Sequence, residues 1–443
     1  MNGDIVEELE TLVSFQTISD PLDKRANLGC AQYISNRLEE AGFISEIIEF
    51  EGYHTVYGRY GQGEFKILFL AHFDVVPVGE GWDSDPFKLR VDDDTAFGRG
   101  ASDNKGNIVS LLLLADRMKE SAFPCTVIIA ASGDEEIGGR NGAFKLKEHL
   151  IKQGLFPDYV VIADGVDQQI IHRRRNVLPT IIKAKKSLAK MRGRTETVRF
   201  ETDVFGSSSR HSAYMRPGVD RHAMLAASKY LDVNPYTMVK DVRGAFLKSN
   251  VVPGWIEVDL LHPDDSQPES DYDEALTSLM RSLLPVSQAA FATEHSDRGK
   301  IISPNLLSLE SDLWTLYCDI RAMTNDGEVV EAAINHALQG RVDLFSLHVS
   351  PGVGYVDTDP NSHLIRAARW ALEKEKIPYR VIEGYGASDS RFFAGEGCEL
   401  FDFGPRGGNT HGPNEWVSLS SIKENVEFYH TLIDVLLRKP GGL

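Results

Sequence analysis

Several short segments of this chain carry metal-ligating residue types at spacings that suit one shared centre. His72 and Asp74 stand two apart in His72-Phe73-Asp74-Val75-Val76-Pro77, so on extended backbone both side chains leave the same face. Asp103 lies in Gly98-Arg99-Gly100-Ala101-Ser102-Asp103-Asn104-Lys105-Gly106, and Glu135 adjoins Glu136 in Gly133-Asp134-Glu135-Glu136-Ile137-Gly138-Gly139. Asp164 follows another apolar run, and His411 sits far downstream in Gly407-Gly408-Asn409-Thr410-His411-Gly412-Pro413. Adjacent glutamates repel each other unless cations lie between them. Two histidines and three carboxylates make the nitrogen and oxygen donor set of paired zinc-like ions sharing one carboxylate, with one glutamate left for proton transfer.

Taken singly, each residue has a plainer account. His72 reads as a structural histidine after a strand, Asp103 as a helix cap, and the glutamate pair as a solvated turn. Jointly those accounts leave unexplained why each polar cluster terminates an apolar run.

The elements that must position these groups can be read from the hydrophobic pattern. Runs 66–71, 126–131 and 159–163 are apolar and too short for helices, which predicts buried parallel strands delivering His72, Glu135 with Glu136, and Asp164 at their carboxyl ends. Open α/β sheets gather ligands at those ends. Helical periodicity covers 5–15, 28–41 and 108–118, and 46–50 is extended. The expectation is an α/β catalytic domain, a mixed and mostly parallel sheet flanked by helices, built from 1–176 and 352–443. Between them, 177–351 carries no metal motif. It alternates strand-like 179–184 and 197–203 with helical 221–232, 272–284 and 328–338, and reads as an inserted α+β lid and dimerisation domain. The polar stretch 262–271 is expected to be a surface loop. The returning segment predicts helix over 362–374, strands over 379–382 and 400–403, and a closing helix over 420–437.

Taken in order, His-x-Asp-Val-Val-Pro, Gly-Arg-Gly-Ala-Ser-Asp-x-Lys-Gly, Gly-Asp-Glu-Glu-x-Gly-Gly and the late Gly-Pro-x-x-x-x-x-His resemble the dinuclear zinc peptidase and deacylase family. That family includes acetylornithine deacetylase, succinyl-diaminopimelate desuccinylase, aminoacylase, carboxypeptidase G and carnosinase-type dipeptidases. The resemblance implies that His72, Asp103 and Asp164 hold one ion and Asp103, Glu136 and His411 the other, with Asp103 bridging. It makes Asp74 the carboxylate that orients His72, Glu135 the general base for a metal-bridging water, and the Asp103-Asn104 peptide bond cis. It also matches Gly206 to Pro217 to the family's Gly-His-x-Ala-x-Pro segment, which makes His211 the oxyanion donor. Arg174, Arg321 and Arg391 fall in segments that in relatives hold a substrate carboxylate, and Asn305 is a further candidate for substrate contact. Zinc is the expected metal, with cobalt or manganese as alternatives.

Some positions depart from the deacylase pattern. Asp164-Gly165 stands where deacetylases and desuccinylases usually show Glu-Pro, and Asn104 and the Asn305 segment look more like the dipeptidase branch. The reading therefore leans to a dipeptidase or carboxypeptidase acting on small peptides, with an N-acyl amino acid deacylase as the alternative. A catalytically silent binding protein would be expected to lack the base or a ligand, and none is missing here. Relatives pair through the lid, so a homodimer is expected.

Composition agrees. The chain has 443 residues, 42% hydrophobic and 25% charged, enough for a large core and a second domain. A formal net charge of −18 disfavours nucleic acid and anionic membrane surfaces. Arg173 to Arg175 and Lys183-Ala184-Lys185-Lys186 read as solvated lid strands rather than an RNA-binding patch. The acidic first ten residues lack a signal-peptide core, and Cys30, Cys125, Cys318 and Cys398 are scattered, which together predict free thiols in a reducing cytoplasm.

Overall fold

Parity along the apolar runs sorts the core. In the strand Lys66–His72, Ile67, Phe69 and Ala71 join one hydrophobic cluster with Val109, Leu112 and Tyr429, whereas Leu68 and Leu70 join another with Leu146, Leu150 and Phe393. Thr126–Ser132 divides the same way, Val127, Ile129 and Ala131 against Ile128 and Ala130. A strand covered by helices on both faces needs an apolar residue at every position, which is why the sequence shows runs rather than alternation. Each Leu or Phe so buried contributes roughly 1.5–3 kcal/mol. His72 follows Leu68 and Leu70 in parity and emerges where the apolar run ends.

The computed structural model describes residues 2–19, 26–119, 124–205, 210–216, 218–294, 297 and 299–437. Contacts divide the chain into two units, Met1–Arg174 with Val356–Leu443, and Arg175–Tyr355. In the first unit the main sheet runs Ile44–Phe50, Tyr53–Tyr60, Thr126–Ser132, Lys66–His72, Tyr159–Ile162, Glu399–Asp402, Ile170–Arg174 and Val356–Asp357, with Val381–Gly384 also pairing Ile170–Arg174. Pairing is parallel from Thr126–Ser132 through to Glu399–Asp402 and again between Val381–Gly384 and Ile170–Arg174. Both flanks are antiparallel, so the sheet is mixed, as expected, with its centre parallel. One flank arises at Glu51-Gly52, whose φ angles of 53° and 81° close a two-residue hairpin and return Tyr53–Tyr60. That strand is buried although it carries His54, Thr55 and Gly58, so its sequence shows no apolar run.

Helices Gly106–Met118 and Leu419–Leu436 cover one face of the sheet, and Ala143–Lys152 lies on the other. A small second sheet, Gly407–Gly408, Trp416–Ser418, Thr95–Phe97 and Arg90–Asp92, pairs Trp416 with Phe97. It draws the segment after His411 alongside the segment that leads to Asp103.

The second unit holds the sheet Ile301–Glu310, Leu313–Ala322, Thr180–Lys185 and Ser346–Val349, and the sheet Met238–Gly244, Trp255–Pro263, Leu188–Glu201 and Glu269–Asp273. Val258, Leu260, Leu316 and Ile320 pack against Met224, Leu276, Leu283 and Ile334 from its helices. Of 262–271, residues 264–268 form the expected loop, whereas 262–263 and 269–271 are strand. Trp255–Pro263 and Glu269–Asp273 both pair with Leu188–Glu201, and backbone bonding on two sides of that long strand holds polar residues extended. Nor is the basic run at 173–175 solvated throughout: Arg174 and Arg175 are buried, and Arg175 donates bidentately to Asp297 at 2.7–3.1 Å. Among the described residues no helix is long and apolar enough to cross a membrane.

Candidate metal centre

The carboxylate of Asp103 divides its oxygens between two histidines. Oδ1 lies 3.0 Å from Nε2 of His72, and Oδ2 lies 3.1 Å from Nε2 of His411. Asp164 Oδ1 is 3.7 Å from the same His72 nitrogen, and Glu136 Oε1 is 3.1 Å from that of His411. Two triads result, His72 with Asp103 and Asp164, and Asp103 with Glu136 and His411, each with donor atoms within 4.8 Å of one another. This donor set fits two divalent cations with a shared carboxylate. Glu136 Oε1 is buried, with this His411 nitrogen as its close neighbour.

Local structure explains the convergence. Nδ1 of His72 lies 3.1 Å from the backbone oxygen and 3.3 Å from Oδ1 of Asp74, which turns Nε2 toward the triad. Asp74 is fully buried and does more than orient this ring. Its carboxylate accepts the backbone N–H groups of Glu135 at 3.1 Å and Glu136 at 3.0 Å, and the Ser19 hydroxyl at 2.5 Å. One side chain thereby fixes both His72 and the turn that carries the glutamates.

Asp103 sits in a π-helical turn, Ala101–Lys105, that runs into helix Gly106–Met118; its own φ of −122° and ψ of 84° break the helical pattern. Its peptide bond to Asn104 is cis, as the resemblance implied. Gly100 precedes this turn at φ 80°, where an added Cβ would fall 2.7 Å from Val75 Cγ1, so only glycine fits. Asn104 Nδ2 donates to Asp164 Oδ1 at 2.8 Å, which links the residue next to Asp103 to another member of the same triad. Glu135 belongs to neither triad and stands next to Glu136 on the 3₁₀ turn Glu135–Ile137.

Electrostatics shows how strongly this cluster favours positive charge. Burial works against a charged His411, yet Glu136 and Asp103 push it up from 6.5 to about 11. Burial likewise opposes a charged His72, but hydrogen bonds to Asp103, Asp164 and Asp74 hold it well above its ordinary value. Asp103 would be raised by burial; bonds from His411 and His72 keep it far below the usual carboxylate range. Burial pushes Glu135 well above that range, with Asp164 and Asp389 adding to the effect and His72 and Arg391 opposing it.

The remaining candidates fall in two places. In the first unit, Arg174 pairs with Asp402 at 2.5 Å and donates to the backbone oxygens of Gly386 at 3.2 Å and Asp164 at 3.1 Å. Arg391 donates to the Gly138 backbone oxygen at 2.9 Å, beside the glutamate turn, and its buried Nε has no hydrogen-bond partner. In the second unit, Nδ1 of His211 accepts the N–H of Ala213 at 3.1 Å, and the Asn250 Nδ2 lies 3.2 Å from its Nε2. Arg321 pairs with Asp319 at 3.0 Å, which in turn accepts the Ser212 hydroxyl. Asn305 is buried and donates to the Ser249 backbone oxygen at 2.6 Å. Gly206 to Ser209 and Pro217 of the segment around His211 lie outside the described residues.

Sequence reasoning missed Glu415, Asp389 and Ser19, and gave Asn104 no contact with a ligand. Asn104 fills the variable position of the Gly-Arg-Gly-Ala-Ser-Asp-x-Lys-Gly motif, whereas Glu415, Asp389 and Ser19 are single polar residues that only the fold brings to the centre.

Comparison with known proteins bears on the family and the fold. A sequence model of peptidase family M20/M25/M40 matches residues 68–435. A succinyl-diaminopimelate desuccinylase of Xylella fastidiosa (strain M23) is 25% identical over 437 residues, spanning 95% of this chain and 96% of that protein. The crystal structure of an aminoacylhistidine dipeptidase from Vibrio alginolyticus superposes with a TM-score of 0.69 at 16% identity, over 97% of this chain and 96% of the other. A Bacillus subtilis protein described as a dinuclear metal-binding peptidase of the M20 family gives 0.55 at 13% identity, over 98% of each chain. At such identities the two structures speak for the fold.

Proposed function

This chain belongs to peptidase family M20/M25/M40 and is a dinuclear metal-dependent amide hydrolase, and from that premise we propose that it cleaves dipeptides or short peptides bearing a free carboxylate. The single observation that carries the reading is the split carboxylate of Asp103, one oxygen toward each histidine, with Glu135 left outside both triads.

His72, Asp103 and Asp164 would hold one ion and Asp103, Glu136 and His411 the other, with zinc the first choice and cobalt or manganese compatible with the same donors. When bound, the ions supply Lewis acidity that polarises the scissile carbonyl and acidifies water. Glu135 accepts a proton from the attacking water and returns it to the departing amine. Asp74 holds His72 and the glutamate turn in place throughout. His211 is the reading's donor to the developing oxyanion. Arg391 is its anchor for the substrate carboxylate, because a buried, unpartnered Nε beside the glutamate turn is suited to a bidentate acceptor. Arg174 acts instead through Asp164, whose backbone it grips. Arg321 and Asn305 shape the substrate side of the second unit, which serves as a lid and as the contact between two copies in a homodimer. A cytoplasmic location accords with buried free thiols at Cys30, Cys125 and Cys318.

A second reading, N-acyl amino acid deacylase, is favoured by the desuccinylase relatives. Against it stands Gly165: a Cβ there would lie 2.6 Å from the Phe403 backbone, so the proline that deacylases usually show at this position has no room. Turnover of dipeptides and of N-succinyl and N-acetyl amino acids, measured side by side on metal-loaded protein, decides between them. Faster dipeptide cleavage supports the first reading; exclusive release of succinate or acetate overturns it.

A further inference from the structure

Four residues beyond His411, Glu415 is fully buried and accepts from four donors at once. Oε1 takes the backbone N–H groups of Ser102 at 3.0 Å and Asp103 at 2.9 Å; Oε2 takes that of Gly100 at 3.0 Å and Nη1 of Arg99 at 2.6 Å. Its own backbone oxygen accepts the N–H of Gly98 at 3.0 Å. The segment that presents Asp103 is thus pegged along its length to one residue of the segment that presents His411. The small sheet fixes the other side of this joint by pairing Trp416 with Phe97.

We infer that Glu415 is a positioning residue that holds the shared carboxylate of Asp103 in register with His411. Only a carboxylate can do this: four N–H donors converge, and an amide would turn its own N–H groups on one pair of them. Stability of the fold alone does not require the arrangement. A solvated turn could satisfy the N–H groups of Gly100, Ser102 and Asp103 with water, but it would leave the carboxylate of Asp103 free to drift from one histidine or the other. The inference rests on the two-ion centre proposed above.

The test compares Glu415→Gln, Arg99→Gln and the double variant, each prepared metal-free and titrated with Co²⁺. Readouts are the stepwise affinities, the visible spectrum of bound cobalt, and the melting temperature of the metal-free protein. Arg99→Gln leaves the three backbone bonds of Glu415 in place, so it should lower the melting temperature and keep affinities and spectrum near those of the unaltered protein. Glu415→Gln should lose about 10–100-fold in cobalt affinity, with the weaker step losing more and the spectrum altered. The double variant, freed of an unpaired buried guanidinium, should regain melting temperature without regaining affinity. Equal affinities in Glu415→Gln and the unaltered protein would overturn the inference, as would losses that simply track melting temperature across all variants. Failure of both Glu415 variants to fold would overturn it too, by making the residue a determinant of the fold. An unaltered protein that binds no paired ions would instead remove the premise.

Discussion

Replacing Asp74 by asparagine isolates the most connected side chain behind the centre. The carboxylate accepts from Ser19, Glu135 and Glu136 and lies 3.3 Å from Nδ1 of His72. Asparagine keeps one acceptor oxygen and turns an amino group on the N–H of Glu135 or of Glu136. One charge-assisted bond is lost outright, and such bonds contribute about 1.5–3 kcal/mol. That corresponds to roughly 10- to 150-fold in any equilibrium that depends on where the turn and His72 are held. Chelator competition should show metal affinity reduced within this range, because His72 and Glu136 serve different triads and both lose their support. Turnover at saturating metal should fall as well, since Glu135 shares the turn. Asp74→Asn protein with unaltered metal affinity and turnover would refute the reasoning. So would a loss matched entirely by lowered stability of the metal-free fold.

Glu135→Gln should cut kcat by about 10²–10⁴-fold while leaving two ions bound, as metal analysis of the same sample would show; loss of the metal would place Glu135 among the ligands instead. His211→Ala should lower turnover with metal content unchanged, and unaltered turnover would end its assignment as oxyanion donor. Gly139→Ala should cost about 1–3 kcal/mol in denaturant unfolding, because φ is +67° and the new Cβ would meet Asp389 Oδ1 at 2.3 Å; an unchanged midpoint would contradict this. His222 gives a pH signature in the second unit. Burial lowers its pKa from 6.5 to about 3, so below about pH 6.5 the unfolded chain takes up a proton that the folded one refuses. Its contribution to stability is complete above that pH and is lost progressively as the pH falls toward about 3, at up to about 1.4 kcal/mol per unit. His222→Gln should flatten the fall in unfolding free energy between pH 7.5 and 5, and parallel curves would refute the assignment.

What could be read from the sequence follows from which forces leave a local mark. Strands buried on both faces announce themselves as apolar runs, so Lys66–His72, Thr126–Ser132 and Tyr159–Ile162 were legible, and the residues expected at their ends are those the fold brings together. Tyr53–Tyr60 was not, because its burial depends on neighbours that a polar sequence cannot reveal. The mixed character of the sheet and the extended 46–50 were legible, but not the pairing of Tyr53–Tyr60 on both sides. In the second unit, pairing on both sides of Leu188–Glu201 holds the polar ends 262–263 and 269–271 extended, and only 264–268 forms the loop that composition indicated. Glu415 illustrates the deepest limit. A glutamate four positions after His411 carries no pattern, and its four donors come from a segment more than three hundred residues away. The burial of Arg174 and Arg175 was hidden likewise, since Asp402 and Asp297 lie far from them in sequence.

The central claim is that Asp103 is shared between two cations, each completed by one histidine and one further carboxylate. Anomalous diffraction from crystals of the protein loaded with Zn²⁺ tests it most directly. The account predicts two peaks per chain, one contacting His72 and Asp164, the other Glu136 and His411, with a separate oxygen of Asp103 on each. A single peak, or ions bound away from Asp103, would contradict it.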